Sequence, residues 1–177
     1  MKILSHFIRI ICLYSYPIFS QTTTNLTASV TLPVVSLLDI EPSGAITMNF
    51  SAPSEAGSPL IIPPSNTTKW INYTSAIKSG GLTRRITASI NHTIPGIDIK
   101  LKVNSAIGLG GGVLGNPTSQ ITLNTVATNI ITGIGGAFTG NGVNNGHQLI
   151  LSLTVNNYSS LTKITNTPII ITYTITE

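Results

Sequence analysis

Ile97-Asp98-Ile99-Lys100-Leu101-Lys102-Val103 is the stretch that decides the fold. Apolar residues take every second position, and Asp98, Lys100 and Lys102 fill the positions between. Successive side chains of a strand point to opposite faces, so the heptapeptide has one apolar and one charged face. Wound as a helix, it would scatter its apolar residues around the axis. Pro95-Gly96 turns the chain just ahead of it.

The same two-residue alternation recurs outward in both directions. Upstream, Ile86, Ala88 and Ile90 alternate with Arg85, Thr87 and Ser89 after the turn Ser79-Gly80-Gly81. Trp70-Ile71-Asn72-Tyr73-Thr74, Ala45 to Phe50, Val34 to Ile40 and Leu26 to Leu32 read as further strands. Pro33 closes the Leu26 to Leu32 strand, and Glu41-Pro42-Ser43-Gly44 is a turn. Residues 51–68 carry Pro53, Gly57, Pro59, Pro63 and Pro64 and read as a loop. Downstream, Ile121 and Leu123 begin a strand, Asn129 to Ile134 a strand or short buried segment, and Leu149 to Val155 a strand apolar on most of both faces. Asn156-Asn157-Tyr158 reads as a turn. Ile169, Ile171, Tyr173 and Ile175 share one face of the last strand, with Thr172, Thr174 and Thr176 on the other. Glycine-rich 108–115 and glycine- and asparagine-rich 135–146 read as loops.

Eight or nine such strands, turn signals between them and no 3.6-residue periodicity beyond the first twenty residues predict an all-β fold. The spacing favours a two-sheet Greek-key sandwich, with a small β-barrel as the alternative. The long loops at 51–68 and 135–146 weigh toward the sandwich.

Residues 1–20 read as a signal peptide. Lys2 and Arg9 make a basic start, an apolar run extends from Ile10 to Ile18, and Ser20 supplies a small residue for cleavage. That run is about half of the roughly 20 residues a spanning helix needs, which disfavours a membrane anchor. Residues 21–177 are then a single domain, exported to the periplasm, the cell surface or beyond. Cys12 is the only cysteine of the 177 residues, so the mature chain has neither disulfide nor thiol chemistry.

Loss of Lys2 and Arg9 leaves seven basic against five acidic residues, a net charge of +2. No basic stripe with interleaved aromatics is present, which argues against nucleic acid as a partner. Charged residues make up 8% of the chain, well below the usual quarter or so, and Thr, Asn, Ser and Gly supply polarity instead. With 41% hydrophobic residues the chain has material for a core and lacks the signature of disorder.

The sequence carries no catalytic or metal-binding signature. His92 and His147 fall in predicted turns with no companion ligands, and read as solvated loop histidines rather than a metal site. A triad drawn from His92, Asp98 and a serine lacks the Gly-x-Ser-x-Gly elbow. Asp39 and Glu41 point to one face of a single strand, whereas glycosidase carboxylates face each other across a cleft. Gly110-Gly111-Gly112-Val113-Leu114-Gly115 fits the dinucleotide fingerprint in letters only, because Asn116-Pro117 follows where a helix must open. No catalytic, metal or cofactor residue is therefore predicted, and the chain reads as a non-enzyme. Trp70 reads as a core plug rather than a sugar platform. Gly110, Gly112, Phe138 and Tyr158 are the candidate binding residues, on loops held by a rigid scaffold.

Ile131-Thr132-Gly133-Ile134-Gly135, Thr139-Gly140, Asn145-Gly146-His147-Gln148-Leu149 and the closing Ile170-Ile171-Thr172-Tyr173-Thr174-Ile175-Thr176 resemble bacterial fimbrial-type surface proteins. The resemblance is to chaperone–usher pilin subunits in the broad sense, including spore-coat-U-like secreted subunits. It covers about the last 50 residues and the general style of Trp70 to Ile90. The disulfide common in pilins is absent. The resemblance implies an immunoglobulin-like sandwich of about 7–9 strands, completed by a strand from a neighbouring subunit. Residues 21–33 are the candidate donor, through Leu26, Ala28, Val30 and Leu32. Ile169, Ile171, Tyr173 and Ile175 are the candidate edge strand that receives it. On this reading the chain is a structural or adhesive surface subunit whose partners are identical or related subunits. The alternative is a monomeric secreted binding module, for example for glycans. Asn25, Asn49, Asn66, Asn72, Asn91 and Asn157 each begin a glycosylation sequon, silent in a bacterial chain.

Overall fold

Isoleucine, valine and threonine dominate the segments between turns, and their branched Cβ atoms suit the pleated surface of a sheet. The structure, a computed structural model, describes residues 24–78 and 80–177, so the predicted signal peptide lies outside the described residues. Nine strands form among the described residues: β1 (Val35–Glu41), β2 (Asn66–Ala76), β3 (Arg84–Ile90), β4 (Ile97–Val103), β5 (Gly111–Pro117), β6 (Ile121–Thr122), β7 (Thr128–Phe138), β8 (His147–Val155) and β9 (Ile171–Thr176). A single 3-10 turn spans Tyr158–Ser160, and the described residues contain no α-helix. All pairings are antiparallel, in one open nine-stranded sheet ordered β6-β4-β8-β2-β7-β3-β9, with β1 on β2 and β5 on β7. The unit they build runs from Pro33 to Glu177.

Two long strands make the sheet fork. One edge of β2 is occupied by β1 from Trp70 to Ala76. The opposite edge pairs with β8 up to Ile71 and with β7 at Thr74 and Ser75. Strand β7 does the reciprocal: β5 lies along one edge, while the other passes from β3 to β2. Both branches feed one apolar cluster, including Ile71 and Leu149 from the β8 branch and Ile86 and Ile131 from the β3 branch. Full burial of each such side chain contributes about 1.5–3 kcal/mol.

Strand β4 follows its sequence pattern closely. Ile99, Leu101 and Val103 are buried, and Lys102 is exposed. Strand β8 lies between β4 and β2, with His147, Leu149 and Leu151 buried on one face and Gln148, Ile150 and Ser152 only half-buried on the other. Other expectations are corrected. Gly111–Pro117 is a strand rather than part of a loop, and β7 continues to Phe138, so the second loop is only residues 139–146. Their glycines serve close strand contact rather than turns: the absence of a Cβ at Gly112 lets β5 approach the Gly136 carbonyl of β7. Residues 45–50 form no strand, although Ile46 and Met48 still pack on the core. The loop before β2 ends at residue 65, and Lys69 on β2 holds its start by donating from Nζ to the carbonyls of Pro42 (2.5 Å) and Gly44 (2.6 Å).

Arg84 and Arg85, adjacent in sequence, are separated by the pleat. Arg85 is exposed while Arg84 is buried, donating to Val35 O and Ser75 Oγ (3.2 Å) and lying 3.5 Å from Glu177. It thereby ties β3 to the starts and ends of other strands. Arg84→Met is expected to cost about 2 kcal/mol, because Val35 O and Ser75 Oγ lose a buried donor. Glu177→Gln should cost well under about 1 kcal/mol, since its carboxylate is more than half exposed and screened by water. Urea unfolding of the two variants distinguishes them, and equal losses would show that the ion pair, not the buried hydrogen bonds, matters.

Candidate functional site

The chemically most distinctive spot is a buried polar node between strands. The alternation of β2 sends Tyr73 inward, and the first residue of β8 is His147. The rings stack with centroids 5.9 Å apart and planes 18° from parallel. His147 Nδ1 lies 2.9 Å from Asn104 O, the shorter of its two carbonyl contacts, which favours the single proton of the neutral ring on Nδ1. Nε2 lies 3.1 Å from the Tyr73 hydroxyl and 3.3 Å from Leu114 O. The Tyr73 hydroxyl also donates to Leu114 O, which belongs to β5. Burial lowers the imidazole below the ordinary histidine range, outweighing the upward pull of the two carbonyls. The same burial pushes the Tyr73 phenol up. His147 is therefore a neutral, wholly buried crosslink, not the solvated loop histidine expected from sequence, whereas His92 is exposed.

The two glycine-rich segments do meet. Asn145 accepts the Leu109 N–H on Oδ1 (2.9 Å) and donates from Nδ2 to Asn141 O (2.8 Å). Asn72 on β2 accepts from Gly142 N (2.7 Å) and donates to Asn145 O (2.7 Å). Asn72 is buried, so glycosylation of that sequon is incompatible with the folded chain. These bonds make residues 139–146 a braced loop.

Of the candidate binding residues, Gly110, Gly112 and Phe138 come together where β5 runs beside β7. Phe138 is half exposed, with its ring edge over Gly111. Tyr158 lies beyond the opposite end of β8, about 30 Å along the strand direction. Its hydroxyl accepts the Leu60 N–H (3.0 Å), so it braces the loop before β2. Trp70 and Tyr73 are buried and form no open platform.

At the other edge of the β3 branch, β9 pairs with β3 in unbroken register from Ile171↔Ile90 to Thr176↔Arg85. Ile171, Tyr173 and Ile175 are half-buried against the core, Ile169 packs there from just outside the strand, and the threonines are exposed. Leu26, Ala28, Val30 and Leu32 belong to no strand.

Among the described residues, no three His, Cys, Asp or Glu side chains are grouped as metal ligands. Every buried side-chain nitrogen and oxygen there has a partner. Asp98, the carboxylate of the formal triad, accepts from Asn156 Nδ2 at 2.5 Å. No helix among the described residues is long and apolar enough to cross a membrane. No family model, curated protein or solved structure matches the chain.

Proposed function

We propose that this chain is an exported, non-catalytic structural or adhesive surface subunit that folds as an immunoglobulin-like sandwich and joins like subunits by strand donation. The observation that carries this reading is the edge formed by β9. Proteins usually protect such an edge with lysine, proline or a bulge. Ile171–Thr176 contains no lysine or proline, and its register with β3 has no bulge. It terminates the strand order of the sheet, with three inward apolar residues only half covered. A strand added there would complete the cover and satisfy the free N–H and C=O groups. The alternating Leu26, Ala28, Val30 and Leu32 have the period for that role and occupy no strand of the structure.

Size exclusion with light scattering tests the proposal on the chain from Gln21 and on a chain from Pro33. The longer chain is expected to form concentration-dependent multimers. The shorter one should stay folded and monomeric, and bind a peptide of residues 21–32. A monomeric longer chain together with an unfolded shorter one would show that the segment is the domain's own first strand.

A further inference from the structure

We propose that the outer face of the sheet around Phe138 is a binding site for a neutral carbohydrate. Leu37 on β1 pairs with Thr74 on β2, and Thr74 pairs with Phe138 on β7. Residues directly opposite in paired strands share a face, so these three side chains form a row across three strands, about 10 Å wide. Leu37 is 64% exposed and Phe138 53%, with the hydroxyl of exposed Thr74 between them. Asp39 and Asn141 stand at the rim of the shallow groove that this row floors, whose volume is about 420 Å³. That volume lies in the range of small-molecule clefts, about 300–1,000 Å³.

The chemistry of the lining selects the ligand. An aromatic and an aliphatic surface suit the C–H faces of a sugar ring, while a hydroxyl, an amide and a carboxylate suit its hydroxyl groups. Asp39 Oδ1 is engaged by the Ile40 N–H (2.7 Å), which orients the carboxylate and leaves Oδ2 as the acceptor. Among the described residues Asp39 is the only charged side chain lining the groove, and its negative charge disfavours a phosphate, sulfate or uronate. An added peptide strand is disfavoured as well: Thr74 and Phe138 lie inside ladders with neighbours on both edges, so this face offers side chains rather than free backbone. The site stands independently of strand donation.

Affinity electrophoresis of the full chain tests the site, in native gels holding a neutral β-glucan, mannan or galactan, with alginate as the anionic comparison. At least one neutral polysaccharide is expected to retard the protein and alginate is not. Phe138→Ala should weaken retardation by about tenfold, the loss of one aromatic contact with its buried area. Leu37→Ala and Asn141→Ala should weaken it less, and circular dichroism verifies that each variant is folded. No retardation by any neutral polysaccharide, retardation by alginate alone, or full retardation of the folded Phe138→Ala, Leu37→Ala and Asn141→Ala variants would overturn the proposal. Light scattering on the same samples reports assembly separately, so failure of strand donation and failure of this site are read apart.

Discussion

Replacing Gly112 by alanine is expected to destabilise the fold by about 4 kcal/mol, the sum of a positive-φ penalty and overpacking against backbone. Gly112 sits in β5 at φ +85°, and a Cβ there would lie 2.1 Å from Gly136 O and 2.9 Å from Ala137 Cα. Neither neighbour is a flexible side-chain tip, so relief requires β5 to move off β7. That movement would also disturb Leu114 O, the acceptor for the Tyr73 hydroxyl. Gly133 provides the control within β7 itself. Its φ is +73°, yet a Cβ there meets nothing within 4 Å. Gly133→Ala should therefore cost only the conformational part, about 1–2 kcal/mol. Urea midpoints at unchanged m-value measure both. Equal losses would show that strand proximity places no demand on Gly112.

The second large effect concerns His147. His147→Leu is expected to cost about 3 kcal/mol, because Asn104 O loses its buried donor and the leucine fits a site shaped for a planar ring. His147 also predicts an acid sensitivity whose sign follows from its lowered pKa. The unfolded imidazole, with an ordinary value near 6.5, binds a proton more readily than the folded one. The stability tied to the neutral ring is thus complete above about pH 6.5 and is lost as pH falls toward the folded value. The slope is at most about 1.4 kcal/mol per pH unit for this one group. The difference in unfolding free energy between the parent and His147→Gln should shrink from pH 7.5 to pH 5. A difference that stays constant across that interval would show that His147 does not titrate differently in the folded and unfolded chains.

These two positions also mark where sequence reading stops. Glycine reports that a backbone has freedom, but not whether it spends that freedom in a turn or in close contact with another strand. Gly110 to Gly115 therefore read as loop, while in the structure Gly112 admits Gly136 O and makes β5 part of the sheet. His147 read as a turn residue because its neighbours Asn145 and Gly146 are turn formers. Only the arrival of Asn104 O and Tyr73, 43 and 74 positions away in sequence, turns it into a buried crosslink.

Alternation alone determined the all-β class and the inward faces of β3, β4 and β9, because side-chain direction in a strand depends only on parity along the chain. Ile99, Leu101 and Val103 needed no partner to declare their face, nor did Ile171, Tyr173 and Ile175. Which strands lie side by side was not legible, because strand neighbours in this sheet come from distant parts of the chain and β1–β2 is the only pair consecutive in sequence. The row of Leu37, Thr74 and Phe138 belongs to that second kind of information. Each residue by itself is an ordinary surface position, and only pairing across β1, β2 and β7 makes the three a face.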